Sequence, residues 1–268
     1  MANFAFTNSP AFSGRGVASA AAPAIPTPAE LGAQYSRGTA TPDQMDRMSY
    51  EDVIAKTVGS FAILVLGAAV GWFVPALTIP AAIAGLVLAL INTFKKQPSV
   101  PLILIYAAVE GVFVGGISAI YSSIFADGIV PMAIFGTLGV VGVTLALFAS
   151  GKVRASKRAT KIFMIAIIGY AAFSLINFGL VMFGVSDSMY GLRGSVEIFG
   201  IPLGVILGII VVPLAAYSLV LDFDMVQRGV NNGAPRIYGW TAAFGIMVTV
   251  VWLYVEILRL LSFFMPRN

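Results

Sequence analysis

Seven long apolar stretches dominate the chain between residues 54 and 264. Each has close to the ~20 residues that a helix needs to cross the hydrocarbon core of a bilayer. They lie at 54–73, 76–94, 101–123, 129–150, 161–184, 201–221 and 238–264. Hydrophobic residues make up 59% of the 268 residues and charged residues 10%, whereas ordinary soluble domains have about 45–50% and about 25%. We therefore predict an all-α integral membrane protein, with a seven-transmembrane-helix bundle over residues 49–268.

The first 48 residues differ in composition from the rest of the chain. Residues 1–48 are rich in Ala, Pro, Ser, Gly and Thr and have no sustained apolar period, so they predict a disordered cytoplasmic tail. Two capping patterns mark where order begins: Thr41-Pro42-Asp43-Gln44, and Ser49 with Asp52. A short interfacial helix is expected to lead from there into the first span.

Basic residues are concentrated in alternate loops, and this pattern predicts the orientation in the membrane. The tail and the loops after the second, fourth and sixth spans contain Arg15, Arg37, Arg47, Lys95, Lys96, Lys152, Arg154, Lys157, Lys161, Arg158, Arg228 and Arg236. The opposite loops contain only Arg193. Since basic loops stay on the cytoplasmic side, we expect a cytoplasmic N-terminus and a C-terminus outside. The net charge of +4 then reflects membrane orientation, and no nucleic-acid partner is expected.

The chain contains neither cysteine nor histidine. Disulfides, zinc centres of the Cys/His type, haem ligation by His and a Ser-His-Asp triad are therefore excluded. Neither HExxH nor GxSxG occurs, and only the sixth span contains aspartates that an intramembrane protease would need. No lysine follows Lys161, which excludes a retinal protein with its lysine in the last span. We expect no enzyme and no cofactor.

Glu110 is the first ionisable residue that the sequence places deep in the membrane. An ionised side chain at the bilayer centre costs about 2.5–3.5 kcal/mol. Glu110 lies nine residues into the third span, about 14 Å deep. It is either a neutral hydrogen-bonded acid or a carboxylate that faces a cavity reached by water and cations.

Two more groups of charges lie at or inside the last two spans. Asp222 and Asp224 end the sixth span and, being about 200° apart around a helix, cannot share a face. For Asp222 we favour a functional role, and for Asp224 a solvated position at a helix end. Glu256 and Arg259 are three residues apart in the seventh span and can form an intrahelical ion pair; a structural and a functional role are both open.

Small and polar residues mark the expected contacts between helices. Gly111 and Gly115 in the third span are spaced for close backbone approach, and Pro213 should kink the sixth span. Ser118 and Ser122 continue this series of small residues in the third span. In the fourth span Gly136, Gly139 and Gly142 recur every three residues, which also predicts close packing.

A polar stripe runs along the fifth span at helical spacing. It consists of Tyr170, Ser174 and Asn177. Interhelical hydrogen bonding and a hydrated pathway explain this stripe equally well.

Three strings together resemble the Bax inhibitor-1 (transmembrane Bax inhibitor motif) family, in particular its bacterial YccA/YetJ-like branch. They are Ala-Ala-Val-Glu-Gly-Val-Phe-Val-Gly at 107–115, Leu-Val-Leu-Asp-Phe-Asp at 219–224 and Val-Trp-Leu-Tyr-Val-Glu-Ile-Leu-Arg at 251–259. The resemblance covers about residues 49–264 and implies a seven-helix bundle in a bacterial plasma membrane. It also implies a pH-sensitive calcium leak, controlled by two facing acids of the sixth and seventh helices that share a proton.

The resemblance identifies Asp222 as the first of these acids and, by its Leu-Tyr-Val-Glu context, Glu256 as the second. Depth in the membrane favours another match. Glu256 lies 18 residues after Tyr238, about 27 Å along a helix, whereas Asp222 is near the cytoplasmic end of its span. Aligned by depth, the second acid's position falls on Thr249, which makes Glu110 or Asp224 the more reachable partner of Asp222.

Two functional hypotheses follow. The preferred one is a leak for calcium or other cations, gated by protonation of Asp222, Glu110, Glu256 and Asp224, with transient Ca²⁺ near Glu110 or Asp222. The alternative is an interaction protein that modulates a membrane-bound protease or a stress-response complex, with the tail 1–48 as its docking segment.

Overall fold

A computed structural model describes residues 46–125, 127–185 and 190–267. Its seven long helices are α1 Tyr50–Phe73, α2 Thr78–Phe94, α3 Val100–Ile124, α4 Ile129–Ala149, α5 Lys157–Met182, α6 Leu203–Asn231 and α7 Gly239–Leu261. Short 3-10 turns, Pro75–Leu77 and Arg236–Tyr238, precede α2 and α7. With these turns, seven described segments are long and apolar enough to cross a membrane. The predicted seven-helix membrane fold is confirmed.

The first helix begins where the second capping pattern predicts. The Ser49 hydroxyl accepts a 3.2 Å hydrogen bond from the Asp52 amide, and α1 then continues unbroken to Phe73. Within the described residues no separate interfacial helix precedes α1, because this cap already opens the spanning helix. The cap predicted at 41–44 lies outside the described residues.

Residues 46–48 pack against the loop between α6 and α7. Arg47 forms a β-bridge with Pro235, and the Met48 amide donates to the Ala234 carbonyl at 2.7 Å. The Met48 side chain is buried. The predicted tail boundary at residue 48 therefore falls inside the ordered chain, and the rest of the tail, residues 1–45, lies outside the described residues.

The sixth helix ends ten residues later than predicted. The apolar run ends at Leu221, but α6 continues to Asn231 because Val226 and Gly229 remain buried while polar residues turn outward. The end of an apolar run therefore does not mark the end of its helix. The helix also runs through Pro213 as one element, with the proline on its exposed side.

The seven helices alternate in direction, which gives the bundle two ends. The end at which α1, α3, α5 and α7 begin carries the basic loops and is called here the basic end. At the opposite end, the connection from α5 to α6 contains a helical turn, Leu192–Ser195, and a hairpin of β1 (Glu197–Ile198) and β2 (Ile201–Pro202). Glu197 pairs with Pro202 in this antiparallel hairpin.

Helix α7 lies at the centre of the bundle and contacts α1, α3, α4 and α6. Phe244, Met247, Leu253 and Leu258 of this helix are almost completely buried. Helix α5 is peripheral: within its length only Phe163 and Ile167 are buried. The seam between α6 and α7 is therefore the most enclosed place for a polar group.

Helices α1 and α3 pack with their backbones in contact. A Cβ added at Gly111 would overlap the Leu64 carbonyl, and one at Gly115 would overlap the Ala68 carbonyl. In α4 the same expectation holds only in part. A Cβ at Gly136 would lie 3.3 Å from Ile257, but Gly139 and Gly142 have no neighbour within 4 Å. For these last two the prediction of close packing is wrong, because their side of α4 faces open space.

Gly111→Ala should destabilise the bundle, because the new methyl group pushes against the α1 backbone, which cannot yield as a side chain does. Overpacking of this kind costs about 1–3 kcal/mol. Thermal unfolding of the purified protein in detergent would show a lower Tm. The matched control is Gly139→Ala, which should leave the Tm unchanged or raise it; an equal loss in both variants would contradict the packing.

Candidate functional site

Asp222 lies at the seam between α6 and α7 and is surrounded by hydroxyl groups. Its side chain is buried, with 1% of its surface exposed. The Thr249 hydroxyl donates a 2.6 Å hydrogen bond to Asp222 Oδ2. The Ser218 hydroxyl, one turn earlier on α6, lies 3.4 Å from the Thr249 hydroxyl. Three polar groups thus form a short chain in the interior.

This contact decides between the two sequence alignments. Thr249 faces Asp222, as the depth alignment predicts, so a hydroxyl stands where the resemblance implies a second acid. Glu256 lies seven residues further along α7, about 10 Å away along the helix axis. The assignment of Glu256 as the facing partner of Asp222 is wrong in this structure, because the helical rise carries it to a different level.

Asp224 faces away from Asp222. It forms an ion pair with Arg228 at 2.5 Å, and its side chain is 20% exposed. It lines a cavity of about 550 Å³ near the basic end, together with Lys157 and Lys161. The two aspartates occupy different faces of α6, as their spacing predicts, and Asp224 is not hydrogen-bonded to Asp222.

Glu110 lies between α2 and α3. Its carboxylate covers Gly85 of α2, where an added Cβ would be 2.6 Å from Glu110 Oε2. Tyr106, one turn earlier on α3, packs edge-on against Phe244 of α7 with ring centroids 5.1 Å apart. Glu110 and Asp222 share no hydrogen bond, so the structure does not bring these two predicted residues together.

Neither of these acids has a basic partner in the described structure. Within residues 46–125, 127–185 and 190–267, no lysine or arginine lies within ion-pair distance of Glu110 or Asp222. In the same residues no group of three or more acidic side chains could hold a metal ion. The predicted transient calcium near Glu110 or Asp222 stays a prediction.

Glu256 belongs to a separate cluster near the opposite end, which we call the Glu256 cluster: Glu256, Arg259, Arg193 and Tyr170. Arg259 Nη1 lies 2.7 Å from Glu256 Oε1, so the intrahelical ion pair expected from their spacing is present. The Tyr170 hydroxyl donates to the same carboxylate oxygen. Arg193 Nη1 lies 3.7 Å from Glu256 Oε2.

Arg193 is the residue that sequence reasoning missed, since it counted only as a loop charge. Its side chain is 6% exposed and donates to Tyr170 at 3.0 Å and to Ser174 at 2.9 Å. The polar stripe on α5 was the available signal, because polar side chains inside a membrane span need hydrogen-bond partners. Asn177 completes it: its amide donates to the Tyr190 carbonyl at 3.1 Å and accepts from the Leu192 amide at 2.7 Å.

The comparisons with known proteins agree with the fold. The family model described as Bax inhibitor 1 like matches residues 5–266, nearly the whole chain. A search of curated proteins found no match. The bacterial branch, and with it a bacterial inner membrane, stays a prediction. Seven membrane-spanning helices and this match lead to one conclusion: the chain is an integral membrane protein of the Bax inhibitor 1 like family.

Proposed function

We propose that this protein is a pH-sensitive leak for calcium or other cations, with Asp222 as the proton-sensing group. One observation carries the proposal: Asp222 is buried inside the bundle of membrane-spanning helices and its partner is a hydroxyl rather than a cation. A carboxylate in such a place must bind a proton or a cation, or pay the full cost of an unpaired charge.

Protonation of Asp222 would reverse the hydrogen bonding at the seam. An ionised carboxylate only accepts hydrogen bonds, so Thr249 must donate to it, whereas a protonated carboxyl group also donates. The Thr249 hydroxyl is then released to donate to Ser218, which lies 3.4 Å away. Proton binding at Asp222 thereby changes which groups hold α6 against α7.

The position of Glu110 supports a second cation-attracting group at about the same distance from the basic end as Asp222. Glu110 is ten residues from the start of α3 at the basic end, and Asp222 is nine residues from the end of α6 at that same end. Both distances correspond to about 14–15 Å along a helix. Two carboxylates at this depth would lower the barrier for a cation that crosses the bundle.

Pro213 offers a place where α6 could bend when the seam loosens. A proline cannot donate to the carbonyl four residues earlier, so the Ile209 carbonyl lacks that intrahelical bond. Pro213 lies nine residues before Asp222 in the same helix. In the described conformation Asp222 is sealed from solvent, so conduction requires such a movement.

Asp222→Asn should remove the pH dependence of calcium flux into dye-loaded proteoliposomes across pH 5–8, because the amide keeps the shape and cannot titrate. The matched control is Asp224→Asn, two residues away and paired with Arg228 on another face of the helix. It should leave the pH profile of the wild type in place.

Two results would contradict this proposal. A wild-type flux equal to that of empty liposomes at every pH would exclude the leak. A pH profile that survives in Asp222→Asn, or is lost equally in Asp224→Asn, would exclude Asp222 as the sensor while leaving the leak intact.

Thr249→Asp should place a second carboxyl group beside Asp222 and change the shape of the pH response. Two facing carboxyls titrate as a coupled pair, in two steps, so the flux profile should gain a second transition. Thr249→Val, which keeps the volume and removes the hydroxyl, should gain none. A single unchanged transition in Thr249→Asp would show that Thr249 does not face the sensor.

A further inference from the structure

A cavity of about 470 Å³ opens between α5 and α7 near the opposite end of the bundle. The Glu256 cluster lines it on one side, and Trp252, Phe178 and Val255 form an apolar wall. This volume is in the range of small-molecule sites. The cavity is distinct from the Asp222 site, since Asp222 and Thr249 do not line it.

The charges around this cavity do not balance. Arg193 and Arg259 contribute two positive charges, and Glu256 is the one acid among the cavity-lining residues that the structure describes. The side chains of Arg193 and Glu256 are 6% and 4% exposed, and that of Arg259 is 24% exposed. A charge in a largely enclosed site without a counterion is unfavourable, so the described cavity-lining residues leave one positive charge that an anion would neutralise.

The two guanidinium groups are held in place and retain capacity for hydrogen bonds. Arg193 stacks on Tyr170 and on Phe173, with its Cζ 5.1 Å and 5.5 Å from the ring centroids. Arg259 donates to Glu256 and to Tyr170 from the same terminal nitrogen, Nη1. A guanidinium has five N–H donors in a planar fork that matches the oxygens of a phosphate.

We propose that this cavity binds a phosphate group through Arg193 and Arg259. The phosphate of an anionic lipid headgroup and a free phosphate ion share this chemistry. The lipid fits the apolar wall, along which an acyl chain would lie beside the loosely packed α5. Ser174 would assist, because its oxygen accepts from Arg193 while its own hydrogen remains to donate.

Trp252 lines the cavity, so a quencher bound in the cavity should lower its fluorescence. In the full-length protein with Trp72→Phe and Trp240→Phe, brominated phosphatidylglycerol in nanodiscs should quench Trp252 more strongly than brominated phosphatidylcholine. A separate arm adds inorganic phosphate to phosphatidylcholine nanodiscs and follows the same fluorescence. Quenching by the anionic lipid identifies the lipid as the source, and a saturable response to phosphate alone identifies the free ion.

Arg259→Gln should weaken binding about tenfold or more, since the charge-assisted hydrogen bonds to the phosphate are lost. Arg228→Gln is the matched control, an arginine at the other end with its own acidic partner Asp224, and should leave binding unchanged. Glu256→Gln removes the carboxylate that competes for the guanidinium groups and should strengthen binding about threefold or more. If the Glu256 cluster only stabilised the fold, Glu256→Gln would instead disturb the cavity and weaken binding.

Three results would contradict the proposed phosphate site: no binding in either arm, equal loss of binding in Arg259→Gln and Arg228→Gln, or weaker binding in Glu256→Gln. If Arg259→Gln does not fold, Arg193→Gln takes its place with the same expectation, and the Glu256→Gln result still decides.

Discussion

The hydrogen bond from Thr249 to Asp222 is the contact on which the proposed proton sensing depends. It lies in the most enclosed part of the bundle, where α6 meets the central helix α7, and it holds a carboxylate that has no basic partner in the described structure. In lipid, a polar group that loses its partner finds no water to replace it. A change in the protonation of Asp222 therefore has to be answered by its neighbours, and the nearest neighbours are the hydroxyls that join the two helices.

The chain keeps its two buried acids on α6 and α7 in opposite electrostatic surroundings. Glu256 is held between two arginines and a tyrosine hydroxyl, which occupy its oxygens. Asp222 is hydrogen-bonded to the Thr249 hydroxyl, so a proton or a cation bound there would break no ion pair. The excess positive charge around Glu256 would also repel cations, so a cation path through Asp222 has to avoid the cavity between α5 and α7.

Much of the fold could be predicted from the sequence because the membrane imposes a length and a composition on every span. The seven apolar runs and the cap at Ser49 were predictable in this way, while the end of α6 was not, since its last ten residues are more polar and still stay helical. The pairing of Asp222 with Thr249 could be anticipated from helical rise, although local motif context pointed to Glu256.

Arg193 could not be placed, because nothing in a loop's sequence tells which helix its side chain will reach. Gly139 and Gly142 show the same limit: a spacing of small residues permits close packing but does not say which face meets a neighbour.

As the proposed sensor, Asp222 itself must gain and lose a proton in the folded protein. Infrared difference spectroscopy of the protein in lipid, recorded between pH 5 and pH 8, observes the carbonyl stretch of a protonated carboxyl group directly. We expect a band that changes with pH in the wild type and is missing in Asp222→Asn. Identical difference spectra for the two proteins would show that Asp222 keeps one protonation state throughout, and would contradict its role as the sensor.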